Sequence, residues 1–281
     1  MNSYKTKNSL RSELAEHSGK NLQIGFVPTM GALHDGHLSL LKQCHAENNI
    51  SVVSIYVNPT QFNDRNDFQN YPRNFQNDIV LLEENGCDIL FLPDDKEMYP
   101  EPDIREFDFG AMGLVMEGKY RPGHFNGVAQ IVTKLFDAVS PNRAYFGRKD
   151  FQQLAIIRKI TTDYNYPIEI VECPIIREPD GLAMSSRNTL LTPDQRRAAP
   201  EIYQTLCKVC EMTNQNDIDA IHTYVEKSIN SNPFLQLEYF QIVDTFTLNP
   251  LSKLTPEIPA TACIAVFAGS VRLIDNIELI S

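Results

Sequence analysis

The chain contains no run of about 18 apolar residues and no basic segment leading into an apolar one, so neither a membrane-spanning helix nor a signal peptide is expected, and a cytoplasmic location follows. Basic charge is short as well. With 25 Lys and Arg against 36 Asp and Glu the net charge is −11, which leaves no basic footprint for duplex DNA or tRNA. Nucleic acid is thereby disfavoured as a partner, and any anionic ligand must be held by positive groups gathered locally. The six cysteines, at 44, 87, 173, 207, 210 and 263, are scattered without the spacing of a disulfide framework, so reduced thiols are expected. Cys207 and Cys210 form a lone C-x-x-C inside a helix-like run, lacking the second pair that a zinc site needs. There is no H-E-x-x-H zinc pattern and no G-x-S-x-G nucleophile elbow, so a covalent serine mechanism has no support.

What is present is an ordinary globular composition, 42% hydrophobic and 22% charged, over 281 residues, enough for one larger domain and a smaller one. Residues 1–20 read as a helical lead-in. An apolar run at 24–29 then reads as a strand, followed by a glycine-interrupted turn, a helix to about residue 48, and a β-branched strand at 51–57. The polar stretch 63–73 reads as a mobile loop and candidate lid. A helix at 77–85 and a strand at 88–92 complete a βαβαβ order, which predicts a Rossmann-type doubly wound parallel sheet, an α/β fold. Further on, a helix at 128–139, a strand at 144–146, a helix at 151–163 and a strand at 168–173 extend it. After Thr192 and Pro193, an N-cap and first helical residue, composition shifts to helices at 193–213 and 217–230 and strands at 235–243, 261–268 and 271–279. The expected division is 1–174, binding nucleotide and substrate, and 175–281, a smaller α+β C-terminal domain forming a lid.

The turn at 30–37 carries the first candidate chemistry. Gly31 and Gly36 remove side chains where a backbone must approach a ligand, and His34 and His37 stand at a helix start, where N–H groups and imidazoles can meet phosphate oxygens. Ligands of such sheets bind beyond the carboxyl ends of the strands, where His34, His37, Asn58 and Gln61 fall. A second strand-to-helix turn, Gly147-Arg148-Lys149-Asp150, offers cations for a polyphosphate and a carboxylate for a ribose hydroxyl or Mg²⁺. Ser185-Ser186-Arg187 offers two hydroxyls and a guanidinium beside a glycine loop. Gln61, Gln152 and Gln153 are neutral groups suited to orienting a hydroxylated carboxylate. Gly113-x-x-x-x-Gly118-Lys119-Tyr120 nearly matches a phosphate loop, but Tyr120 occupies the position of the Mg²⁺-binding Ser or Thr.

Six blocks in order, Pro28-Thr-Met-Gly-Ala-Leu-His-Asp-Gly-His37, Val57-Asn-Pro-Thr-Gln-Phe62, Tyr71-Pro-Arg73, Glu117-Gly-x-x-Arg-Pro-Gly-His-Phe-x-Gly-Val128, Phe146-Gly-Arg-Lys-Asp-Phe-Gln-Gln153 and Met184-Ser-Ser-Arg-Asn188, resemble the pantothenate synthetase (pantoate–β-alanine ligase) family. That family belongs to the nucleotidyltransferases with an HxGH signature, here His34-Asp-Gly-His37. The resemblance implies a two-step ligation, in which pantoate and MgATP give pantoyl adenylate and β-alanine then displaces AMP. It implies ATP contacts from Met30, Gly31, His34, Gly36, His37, Gly147, Arg148, Lys149, Asp150, Ile176, Met184, Ser185, Ser186 and Arg187, with His34, His37, Lys149, Ser185, Ser186 and Arg187 acting in catalysis and His37 as proton donor. Gln61 and Gln153 would hold pantoate, with Asn58 nearby. A homodimer through the first domain is also implied. Some family members carry two adjacent acidic residues where this chain has Asn77-Asp78, which leaves Asp78 alone as a Mg²⁺ ligand there. The competing readings are another HxGH nucleotidyltransferase acting on a different small acid, and a nucleotide-binding regulator without catalysis.

Overall fold

The computed structural model describes residues 1–213 and 217–280. Among these the strands are β1 (Asn2–Tyr4), β2 (Ile24–Thr29), β3 (Ile50–Ile55), β4 (Ile89–Phe91), β5 (Arg143–Gly147), β6 (Glu169–Cys173), β7 (Leu235–Asp244), β8 (Ala260–Ala268) and β9 (Val271–Ile280). The helices are α1 (Lys7–Ser18), α2 (Asp35–Glu47), α3 (Arg65–Asn70), α4 (Phe75–Glu84), α5 (Asp95–Met98), α6 (Met116–Tyr120), α7 (His124–Val139), α8 (Phe151–Asp163), α9 (Pro193–Ala198), α10 (Glu201–Met212) and α11 (Ile218–Ser231). No described helix is long and apolar enough to cross a membrane. Two units emerge: one of Met1–Phe109, Arg121–Arg148 and Gln153–Pro174, the other of Gly110–Tyr120, Lys149–Gln152 and Ile175–Ser281.

In the first unit β1 to β6 form one parallel sheet in the order β1-β4-β3-β2-β5-β6. Strand periodicity explains its two covered faces: Phe26, Val52, Phe91 and Phe146 pack with Leu10 of α1 and Phe136 of α7, while Val27, Val53, Leu90 and Tyr145 pack with Leu41 of α2 and Leu82 of α4. The chain leaves β2 for β3 on one side, whereas β5 pairs with β2 on the other, with Gly25 opposite Arg143. The order therefore reverses between β2 and β5. Such a switch point opens a crevice at the carboxyl ends of the two strands, where the turns after Thr29 and Gly147 begin.

The second unit is built on an antiparallel sheet, β7-β8-β9, whose core face packs against α10 and α11 through Ile264, Val266, Leu206 and Val225. A register shift between Leu237 and Tyr239 changes which residues face that core, from Leu235 before it to Phe240 and Ile242 after it. Tyr239 thereby turns to the other face. There its hydroxyl donates to Glu117 at 2.8 Å, and Arg272 of β9 binds the same carboxylate through two nitrogens, both at 2.7 Å.

Three local readings of the sequence need correction. Residues 1–20 begin with β1, an edge strand paired with β4, before α1. The 63–73 stretch contains α3, capped by the Asp64 carboxylate accepting from Asn66 and closed by the Arg73 guanidinium on the carbonyls of Phe68, Gln69 and Tyr71. The helix expected over 193–213 breaks between α9 and α10 at Pro200, which has no N–H to continue the ladder. The Thr192 capping box forms with Gln195, and the β8–β9 hairpin turns at Gly269, φ 63°.

Candidate active site

The turn after β2 is held in an unusual backbone shape. Gly31 and Ala32 both have left-handed torsions, φ 78° and 50°, so the two amides that follow, of Ala32 and Leu33, point to one side, while the Gly31 N–H donates to the Thr29 hydroxyl. There the Asp78 carboxylate of α4 accepts from the N–H of Ala32 at 2.9 Å and of Leu33 at 2.8 Å. A Cβ on Gly31 would lie 2.9 Å from an Asp78 oxygen, so only glycine fits against this brace. Asp78 is wholly buried, and burial raises its pKa despite the two hydrogen bonds that oppose the shift. With both oxygens taken up by the turn, the residue offered by the sequence as a Mg²⁺ ligand works as a backbone brace.

From that turn the chain enters α2. His34 is its N-cap, its Nδ1 accepting from the Gly36 N–H at 3.1 Å. In the neutral imidazole the proton then sits on Nε2, which makes that nitrogen a donor. The His34 and His37 rings lie together, centroids 4.1 Å apart, at the positive end of α2.

Asn58 and Gln61 follow β3 in a 3₁₀ turn, Pro59–Gln61. Asn58 is 1% exposed; its amide donates to Gln61 Oε1 at 3.2 Å and to the Gly127 carbonyl at 3.0 Å, and its oxygen accepts from Tyr99 Oη at 2.7 Å. Asn58 therefore serves to fix Gln61. Gln61 Nε2 reaches Met30 Sδ at 3.1 Å, which ties it to the histidine turn. His124, at the start of α7, lies with Nδ1 2.7 Å from the Gln61 carbonyl, and because a carbonyl only accepts, Nδ1 is the donor. Gly127 lets α7 sit directly on this turn, since a Cβ there would be 2.4 Å from the Thr60 carbonyl oxygen. His124, Gly127 and Tyr99 hold the Asn58–Gln61 turn, contacts that residue-type reasoning missed; for the first two, the Arg-Pro-Gly-His-Phe block held the signal.

Of the other expected residues in this unit, Arg148 Nε lies 3.4 Å from Glu172 of β6, and Gln153 is half-buried in the first turn of α8. Gly147 ends β5 with open space where a Cβ would be.

The second unit carries the remaining expected groups. Lys149 Nζ lies 3.5 Å from Asp150 Oδ1, and Asn276 of β9 donates to the Lys149 carbonyl at 3.0 Å. Gln152 is not available to a ligand. Its amide donates to the carbonyls of Met112 and Val115 and accepts from the Glu117 N–H at 2.8 Å. Gly118 of the near-miss phosphate loop packs on the Gly113 backbone, where a Cβ would be 2.2 Å from a carbonyl oxygen. Its glycine therefore serves close packing. Ile176 and Met184 are paired across a short hairpin, the Met184 N–H donating to the Ile176 carbonyl at 3.0 Å. Ser185 caps the following 3₁₀ turn, its Oγ accepting from the Arg187 N–H at 3.3 Å, and Ser186 is 7% exposed. Each unit thus gathers donors on short turns supported by buried side chains.

Comparison with known proteins gives a consistent result. A family model described as pantoate-beta-alanine ligase matches residues 2–278. The pantothenate synthetase of Bacteroides thetaiotaomicron is 52% identical over 273 residues, covering 97% of each chain, and that of Porphyromonas gingivalis is 49% identical with 99% of each covered. The crystal structure of the Thermus thermophilus pantothenate synthetase superposes with a TM-score of 0.93 at 40% identity over the whole of both chains. A Francisella tularensis pantoate-beta-alanine ligase, described as complexed with beta-gamma ATP and beta-alanine, matches at a TM-score of 0.80 and 35% identity, covering 99% of this chain and 98% of its own.

Proposed function

The chain belongs to the pantoate-beta-alanine ligase family, and from that premise we propose how its residues carry the reaction. The activity is the ATP-dependent joining of pantoate to β-alanine, which yields pantothenate. In the first step a carboxylate oxygen of pantoate attacks the α-phosphorus of ATP, the bond to the β-phosphate breaks, and pyrophosphate leaves. In the second the amine of β-alanine attacks the acyl carbon of pantoyl adenylate, the acyl C–O bond breaks, and AMP leaves with that oxygen.

Neither step needs a protein nucleophile; both need alignment and donors for developing charge. The neutral Nε2–H of His34 donates to a phosphoryl oxygen, and His37 supplies a proton as pyrophosphate departs. Lys149, Ser185, Ser186 and Arg187 take charge on the phosphates, while Met30, Gly31, Gly36, Gly147, Arg148, Asp150, Ile176 and Met184 complete the ATP contacts. Gln61, fixed by Asn58, and Gln153 orient pantoate. Mg²⁺ arrives with ATP, the phosphates and water furnishing most of its ligands. The family further suggests a cytoplasmic homodimer formed through the first unit.

The observation that carries this assignment is the braced turn after β2, which sets two adjacent histidines, their rings tilted 42° to one another, at the positive start of α2 beside the switch point. Purified protein given ATP, pantoate and β-alanine should form pantothenate and AMP together, and omission of any one substrate should abolish both. AMP and pyrophosphate release indifferent to pantoate would overturn the reading, and activity with another acid in its place would point to a different nucleotidyltransferase.

A further inference from the structure

In a strand, consecutive side chains leave on opposite faces. On β9, Val271 and Leu273 lie on the core face, and Asp275 follows them in that alternation, 4% exposed among α10 and its neighbours. Its carboxylate accepts from Arg177 Nη1 at 2.6 Å and Nη2 at 3.0 Å. Arg177 also stacks over the Tyr203 ring of α10 at 3.7 Å and donates to the carbonyl of Gly181 at 3.2 Å. Gly181 turns the hairpin that runs from Ile176 to Met184, with φ 95° and no room for a Cβ against Tyr203. Asp275 therefore fixes, through Arg177, the base and tip of the hairpin that delivers Ser185, Ser186 and Arg187.

Asn276 is 2% exposed and belongs to the other face, with Arg272. Its amide donates to the Lys149 carbonyl at 3.0 Å. We propose that Asp275 and Asn276 are positioning residues, one fastening the Ser185–Ser186–Arg187 loop and the other the Lys149 turn, so that a single step along β9 sets the spacing of the two cationic segments that take the ATP phosphates. Both lie outside every motif block, and each acts through another residue, Asp275 through Arg177 and Asn276 through the Lys149 carbonyl. The inference rests on the ATP role given above to Lys149 and Arg187.

A positioning role and a merely structural one separate by KM. Asn276→Ala and Asp275→Asn, checked by melting for a folded state, should each raise the KM for ATP about tenfold, as expected when a buried hydrogen bond that orients a phosphate donor is lost, with the KM for pantoate within about twofold of the parent. Asn276→Asp, nearly isosteric but without the donor, should behave like Asn276→Ala and replaces it if the alanine variant does not accumulate. An ATP KM unchanged in the Asn276 and Asp275 variants would overturn the proposal, as would equal rises for ATP and pantoate accompanied by a lower melting temperature. Lys149→Ala is the control: an unchanged ATP KM there would remove the ATP assignment itself, whatever the β9 variants do.

Discussion

The carboxylate of Asp78 receives two consecutive backbone N–H groups that a left-handed pair of residues turns the same way, an arrangement that otherwise suits a bound anion. Occupied from within, it stiffens the turn from which His34 caps α2. Asp78→Asn keeps one acceptor but sets an NH₂ against the other amide, so a loss of about 1–3 kcal/mol in stability is expected, read by denaturant unfolding. Adenylation should fall with it, and added Mg²⁺ should not restore the rate; recovery by Mg²⁺ would return Asp78 to the role of metal ligand. At this scale the sequence is legible where position follows from local pattern, as with the two histidines at the start of α2. It is illegible where a side chain acts on backbone far along the chain: nothing in an Asn-rich stretch announces that Asp78 lies under residues 32 and 33, or that Asn276 holds the carbonyl of Lys149.

Helix α7 shows how an element positions a site without contributing to its chemistry. Its apolar stripe, including Val128, Ile131, Val132, Leu135 and Phe136, is buried in the main core, and Gly127 lets its first turn meet the Thr60 and Gln61 backbone. Gly127→Ala would drive a Cβ into the Thr60 carbonyl. Relief requires the Pro59–Gln61 turn or α7 to shift, at a cost of about 1–3 kcal/mol, and Gln61 moves with it. The KM for pantoate should rise more than that for ATP, measured in steady-state assays of the folded variant; the reverse order would detach Gln61 from pantoate. The stripe on α7 and the buried runs of β3 and β8 were readable because burial imposes a period. β1 and α3 were not, since a three-residue edge strand is held by pairing with β4 and α3 by its caps, Asp64 and Arg73. Pro200 did mark the break between α9 and α10, a signal outweighed in reading by the apolar spacing around it.

For the molecule as a whole, composition and element order suffice for the class of fold: a parallel sheet wound both ways and a smaller antiparallel one follow from buried β-branched runs alternating with helices, then from a hairpin-linked pair of strands. The grouping of Gly110–Tyr120 and Lys149–Gln152 with the C-terminal segment does not. It depends on Glu117 meeting Tyr239 and Arg272, and on Gln152 and Asn276 gripping backbone, contacts between residues more than a hundred positions apart in three of these pairs. The central claim is that the chain activates pantoate as an adenylate on ATP. The most direct measurement follows heavy oxygen from the carboxylate of labelled pantoate through one complete reaction with ATP and β-alanine. Attack at the α-phosphorus predicts one labelled oxygen in the phosphate of AMP and none in pyrophosphate. Label appearing in inorganic phosphate with ADP as the partner product, or no transfer of label at all, would contradict it.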